Sequence, residues 1–170
     1  IIIMAMPMET WKQHRLYSSV VFMLEPDSIV EKIRPYEQQQ FLLATNSYST
    51  SAVISYHAGS EFFVFGEGSF HARQDDILTD FRQFDGRNIL TLRKSIPDMA
   101  DYTPYFKRVE TIPFVLRGAD FYLVLGYGFN YELYKQGVLR PIKDRYYSIP
   151  AFLPHAPCYF CEKYFPGESS

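Results

Sequence analysis

Two β-forming runs, 109–116 and 121–125, flank Arg117-Gly118-Ala119-Asp120, and this arrangement limits the fold more than any other feature of the chain. Phe121-Tyr122-Leu123-Val124-Leu125 is apolar or aromatic throughout and ends at Gly126, the pattern of a buried strand. A glycine-bearing linker between two such runs predicts a hairpin. The same reading places a hairpin over 52–65, turning at His57-Ala58-Gly59-Ser60, and another over 77–92, turning at Asp85-Gly86. A further hairpin joins 129–134 to 138–142 across Lys135-Gln136-Gly137, and 158–165 supplies a last strand. Residues 16–24, rich in Val, Phe and Tyr, also read as a strand. Helix signals concentrate at Pro26-Asp27-Ser28, followed by Ile29, Val30 and Ile33, with Pro35 as an interruption. Aromatic residues make up 18% of the chain, which favours strands over helices. The expected fold is mainly β: an antiparallel jelly-roll-like barrel or sandwich with one N-terminal helix.

A chain of 170 residues buries enough surface for one core, so 1–170 is expected to form a single β-rich domain. Echoed wording suggests an internal duplication over about 16–97 and 98–165. Gly59-Ser60-Glu61-Phe62-Phe63 is echoed by Gly118-Ala119-Asp120-Phe121-Tyr122, and Gly66-Glu67-Gly68 by Gly126-Tyr127-Gly128. The net charge of -2 offers no field for nucleic acid. Arg87, Arg93 and Lys94 come nearest to a basic cluster and read as a solvated strand face. No apolar run approaches the roughly 18 residues of a membrane span, and residues 1–8 lack the length and basic start of a secretory leader. Two cysteines do not make a disulfide framework, and the expected location is cytoplasmic or otherwise intracellular.

The chemistry-bearing stretch is Ile149-Pro150-Ala151-Phe152-Leu153-Pro154-His155, a proline-framed turn that delivers a histidine to the end of a strand. Together with the preceding residues it resembles the second half of a cupin domain. Gly126 ends an aromatic strand, Lys135-Gln136-Gly137 makes the hairpin, and Pro150 precedes His155 by the family spacing. The resemblance covers 121–155 and departs at Asp144 and Arg145, where the family has Gly and Asp. It implies a divalent metal, for which the family's first motif supplies two histidines and a glutamate. His57, Glu61 and Gly68 fit part of that motif, with Ser55 in place of the first histidine. On this reading His57, Glu61 and His155 hold Fe, Mn, Ni or Zn with open coordination positions. Tyr122, Tyr131 and Tyr147 then line the mouth beside His155 as ligand-binding residues.

Plainer readings stand beside each of these. His155 serves as a turn residue capping a strand, His57 as an exposed hairpin tip, and Glu61 as a solvated strand-edge acid. Cys158-x2-Cys161 has the spacing of a redox dithiol or half a zinc knuckle, but no second pair completes a zinc site. A redox pair opens a helix, whereas these cysteines flank Tyr159-Phe160 in an apparent strand, so structural thiols are expected. Gly66-x-Gly68 and Gly126-x-Gly128 read as strand ends or bulges rather than phosphate loops. The tract 81–95 also resembles hairpins of the tubby-like and scramblase-like barrels.

Two classes of function fit. In one, a cupin-like barrel binds a small ligand or divalent metal, with a metal-dependent oxygenase or isomerase as its catalytic form. In the other, a non-catalytic jelly roll serves as a structural or interaction protein, such as a subunit of a larger assembly or a virion component. The partner is accordingly a small molecule or a protein, including a second copy of the chain. Incomplete metal ligands, abundant aromatics and eleven prolines favour the second class, and the lack of a basic arm or docking helix favours the first.

Overall fold

The structure, a computed structural model, describes residues 8–68, 78–147, 152 and 157–168. Its first segments are helices rather than strands. Helix α1 spans Tyr17–Leu24 and α2 spans Pro26–Gln38, with Pro26 at the start of α2, where a missing N–H costs nothing. Pro35 lies inside α2 without ending it. Tyr17 and Val21 on α1, and Ile29 and Ile33 on α2, are buried one helical turn apart, so each helix presents one apolar stripe inward.

The tract read as a hairpin over 52–65 is a helix followed by a strand. Helix α3 covers Tyr48–Ala58, capped by Ser47 and stopped by Gly59, whose φ of +67° suits a residue without a Cβ. Val53, Ile54 and Tyr56 favour strands by propensity. Burial of Ile54 against the sheet, together with the two caps, outweighs that preference.

Five strands form one open sheet in the order β2-β1-β3-β5-β4: β1 Leu42–Thr45, β2 Phe62–Val64, β3 Ile89–Arg93, β4 Phe106–Leu116 and β5 Ala119–Phe129. Strand β1 pairs in parallel with both β2 and β3, whereas β3–β5 and β4–β5 are antiparallel. The jelly-roll or barrel expectation is thereby overturned. About 47% of the described residues are helical and 24% are strand, with six α-helices among them, and the mixed sheet does not close. The hairpin of 109–125 is present, and its turn residues Arg117 and Gly118 both take positive φ (52° and 80°), as a two-residue hairpin turn requires. Before Asp85-Gly86 the chain makes a 3₁₀ turn over Phe81–Phe84, so the described part of that tract, 78–92, is no hairpin. The tract 129–142 continues from β5 into α4 (Tyr131–Tyr134), a π-helical turn (Lys135–Leu139) and α5 (Arg140–Tyr146). The expected last strand is helix α6 (Tyr159–Tyr164). Among the described residues no helix is long and apolar enough to cross a membrane.

Helices α1, α2 and α3 cover one face of the sheet, where Val21, Ile33 and Ile54 meet Leu43, Leu90 and Phe121. Helices α4, α5 and α6 cover the other, where Tyr134, Ile142 and Tyr164 meet Ala44, Ile89 and Val124. This is a three-layer arrangement, and each large side chain fully buried in it contributes roughly 1.5–3 kcal/mol of transfer free energy. The aromatic surplus lies inside. The Tyr134 ring sits 4.8 Å from those of both Phe65 and Phe81, and Phe106 and Phe129 complete the cluster. Gly126 of β5 lies beneath Phe106, and a Cβ there would stand 2.5 Å from that ring.

Candidate ligand crevice at the strand ends

The parallel strands β1 and β3 lie side by side, yet the chain leaves them in opposite directions. After β1 it enters α3 on one face of the sheet; after β3 it turns through Met99–Tyr105, whose Tyr102 is buried in the core of the other face. A sheet opens a crevice where its connections diverge in this way, at the carboxyl ends of its strands. Here the crevice encloses about 470 Å³ and is lined by the ends of all three parallel strands: Asn46 and Ser47 after β1, Gly66 to Gly68 after β2, and Arg93 closing β3. Asp101, Tyr102 and Tyr105 form the opposite wall, and Phe65 and Val138 are apolar parts of the lining.

The β1 side is held rigidly. Thr45, fully buried, donates from Oγ1 to the Ser47 carbonyl (2.9 Å) and accepts the Ser47 amide (3.2 Å). The same hydroxyl lies 2.8 Å from Ser51 Oγ. Ser47 Oγ in turn donates to Thr50 Oγ1 and accepts the Thr50 amide, fixing the start of α3 at the crevice wall. Helix geometry leaves the amides of Tyr48 and Ser49 without intrahelical acceptors at this end. On the β2 side, Gly66 and Gly68 take φ of +84° and +67°, and the Gly66 amide donates to the buried Tyr134 hydroxyl (2.8 Å). These two glycines are a strand end, as their spacing suggests.

Arg93 is the distinctive group. Its side chain is only 13% exposed. Nη1 donates to the Tyr102 hydroxyl at 2.8 Å and lies 3.7 Å from Asp101 Oδ2, while Nε is buried with no hydrogen-bond partner among the described residues. A guanidinium carries five donors in a fixed fork, and the contacts with Tyr102 and Asp101 both use Nη1, which leaves the Nη2 donors to take an acceptor. Burial raises the pKa of the Tyr102 hydroxyl above its ordinary value, with Arg93 pulling the other way, and burial also raises that of Tyr105. Both phenols are therefore neutral hydrogen-bonding groups at physiological pH. Glu67 is the other acid on the wall, 3.8 Å from Arg145. The crevice thus offers one guanidinium fork, two phenols, an amide side chain and two carboxylates. Among the described residues, neither a histidine nor a cysteine lies in its lining.

The residues expected to form the site lie elsewhere. His57, in the last turn of α3, has Nδ1 2.9 Å from Asp27 Oδ1 of α2. Glu61 is exposed just before β2 and borders a smaller cleft with Leu78, Thr79 and Asp80. His155 lies outside the described residues. Among the described residues no group of three or more His, Cys, Asp or Glu is placed to hold a metal ion. Tyr122, opposite Arg93 in the β3–β5 register, borders a shallow cleft with Lys94. Tyr131 is buried beside Tyr164, and Tyr147 stacks on Phe160 at 4.5 Å. None of the three tyrosines lines the crevice. Of the basic cluster read as a solvated face, Arg87 is exposed, but Arg93 is nearly buried, and the Lys94 ammonium lies 5.0 Å from the centre of the Phe22 ring, its pKa lowered by burial. Cys158 and Cys161 are not free thiols; they form a disulfide, and they open α6 rather than flanking a strand.

Arg93, Asp101 and Tyr102 carry the crevice, and the sequence held one signal for them. Ile89-Leu90-Thr91-Leu92 has no polar-out alternation, the mark of a strand buried on both faces, so the charged residue ending it had to sit at a strand mouth. Fold and crevice together define a three-layer α/β domain with a polar pocket at the carboxyl end of its parallel strands. No protein-family model matches the chain, and neither a curated protein nor a solved structure does.

Proposed function

We propose that this domain binds a small polar ligand that carries an oxyanion, in the crevice at the ends of β1, β2 and β3. The observation that carries this reading is Arg93, a nearly buried guanidinium that lines the crevice at the mouth of a parallel strand and whose contacts with Tyr102 and Asp101 use only Nη1. Guanidinium forks match carboxylate and phosphate geometry, and the start of α3 adds positive potential on the same wall. Asp101 and Glu67 suit donor groups elsewhere on the ligand, such as hydroxyls or an ammonium. Among the described residues the lining holds no nucleophile–base pair, so the reading is recognition rather than a named reaction. It keeps the small-molecule partner expected from the sequence while moving the site away from His57, Glu61 and His155.

The test is calorimetric titration of the native protein and of Arg93→Lys with inorganic phosphate, acetate, neutral sugars and amino acids. The expected result is saturable binding confined to oxyanion-bearing ligands, weakened about tenfold or more in Arg93→Lys, which keeps the charge but loses the fork. Equal binding by both proteins, or binding of neutral sugars alone, would overturn the assignment.

A further inference from the structure

The disulfide between Cys158 and Cys161 ties no distant parts of the chain together. The two residues are three apart in sequence, within one turn at the start of α6. Closing so short a loop removes little entropy from the unfolded chain, since that gain grows with loop length. The helix is also anchored without it. Phe160 stacks on Tyr147, the Tyr164 hydroxyl donates to the Thr79 carbonyl at 2.8 Å, and Lys163 Nζ donates to that same carbonyl at 3.1 Å. A structural role therefore leaves the bond with little to do.

Its two sulfurs are not equivalent. Cys158 is half-buried at the edge of the core and precedes the exposed Tyr159, whereas Cys161 is only 3% exposed. The Cys161 amide donates to Cys158 Sγ at 3.1 Å, a contact that favours negative charge on that sulfur once the bond is opened. A partly exposed cysteine whose sulfur has a hydrogen-bond donor, beside a sheltered one, is the arrangement thiol–disulfide exchange uses.

We propose that Cys158 and Cys161 are a redox-active pair that oxidises the dithiols of a second molecule. A substrate thiolate attacks Cys158 Sγ; the Cys158–Cys161 bond breaks, and its electron pair leaves on Cys161, which takes a proton. The second substrate thiol gives up its proton and attacks the substrate sulfur of the mixed disulfide; that bond breaks, its electron pair leaves on Cys158, and Cys158 takes up the second proton. Two electrons and two protons pass from the substrate dithiol, which becomes a disulfide, to the cysteine pair. Disulfides of other molecules reverse the sequence and restore the starting state.

The test needs only the native protein and two variants. The folded protein is equilibrated in glutathione buffers of graded ratio, quenched with acid, alkylated and weighed, with near-ultraviolet circular dichroism recorded alongside. The pair is expected to interconvert reversibly within those buffers while the aromatic spectrum stays unchanged. Limiting alkylation of the reduced protein should label Cys158 about tenfold or more faster than Cys161. Cys161→Ser should capture glutathione as a stable mixed disulfide at Cys158, and Cys158→Ser should not capture it at Cys161. If reduction collapses the aromatic spectrum, or both cysteines label at one rate, the bond is structural and the proposal fails. The proposal fails equally if reduced glutathione opens the pair only after the protein is unfolded. Reversible exchange and the difference in labelling rate are both measured on the native protein, so a variant that does not fold leaves those two tests standing.

Discussion

Replacing Arg93 with methionine separates a binding arginine from a structural one. Methionine keeps much of the length of the stem and removes the guanidinium. Two interactions are lost. The charge-assisted bond to Tyr102 contributes about 1.5–3 kcal/mol. The contact with Asp101, at 3.7 Å to a carboxylate that is 59% exposed, contributes about 0–1 kcal/mol. Against these stands the desolvation of a nearly buried cation with one unused donor, an unfavourable contribution of several kcal/mol that the substitution removes. The terms nearly cancel, so Arg93→Met is expected to lie between about 1 kcal/mol less stable and about 2 kcal/mol more stable than the native protein. Urea unfolding followed by tyrosine fluorescence measures this as a shift in midpoint at constant slope. Loss of oxyanion binding with stability preserved or raised is the signature of a group retained for its ligand. A loss of about 3 kcal/mol or more would mean that Arg93 braces the fold, and its place in the crevice lining would then say nothing about a ligand.

Two further outcomes follow from packing and charge. Gly126→Ala puts a Cβ 2.5–2.6 Å from three atoms of the Phe106 ring, which Phe65 and Phe129 hold in place; a cost of about 1–3 kcal/mol is expected. Combining it with Phe106→Leu should recover part of that cost in a urea double-mutant cycle, and strict additivity would show that the ring does not cover Gly126. Glu168 accepts from Arg140 and Lys143, and these bonds pull its carboxyl down from 4.5 to about 2. A carboxyl depressed on folding stabilises the protein above its unfolded pKa, and that contribution is lost as pH falls from about 4.5 towards 2. An NMR titration of the Glu168 side chain should accordingly have its midpoint near 2, and a midpoint near 4.5 would show that the ion pairs do not form in solution.

The sequence made the β4–β5 hairpin and helix α2 plain because local chemistry decides both. Arg117-Gly118 has to turn, and Pro26-Asp27 has to start a helix. The segments read wrongly share a physical cause. In α1, α3 and α6 the residues with strong strand propensity, among them Val21, Ile54 and Phe160, are core contacts whose burial fixes the helix whatever their intrinsic preference. Gly59 was legible as a turn, but a left-handed glycine closes a helix as readily as it links two strands, and nothing within four residues distinguishes the two. The aromatic count misled for a related reason. Twenty-nine Phe and Tyr residues suggested strands and spare surface, yet Phe65, Phe81, Phe106, Phe129 and Tyr134 all pack into a single interior cluster between sheet and helices.

The crevice was hidden by the same choice of period. A jelly roll assigns Ile89 to Arg93 to an antiparallel strand with one wet face, and on that face an arginine followed by a lysine is unremarkable surface. A strand between two helical layers has no wet face. Its side chains alternate between two dry cores, Leu90 and Leu92 to one and Ile89 to the other, and the first position at which a charge is tolerable is the end of the strand. Arg93 occupies that end, beside the start of α3 and across from Tyr102, because the connections after β1 and β3 part there. The position of the candidate site is thus a consequence of the layer architecture. Once 89–92 is recognised as dry on both sides, Arg93 follows as the residue to test, with no motif needed to point at it.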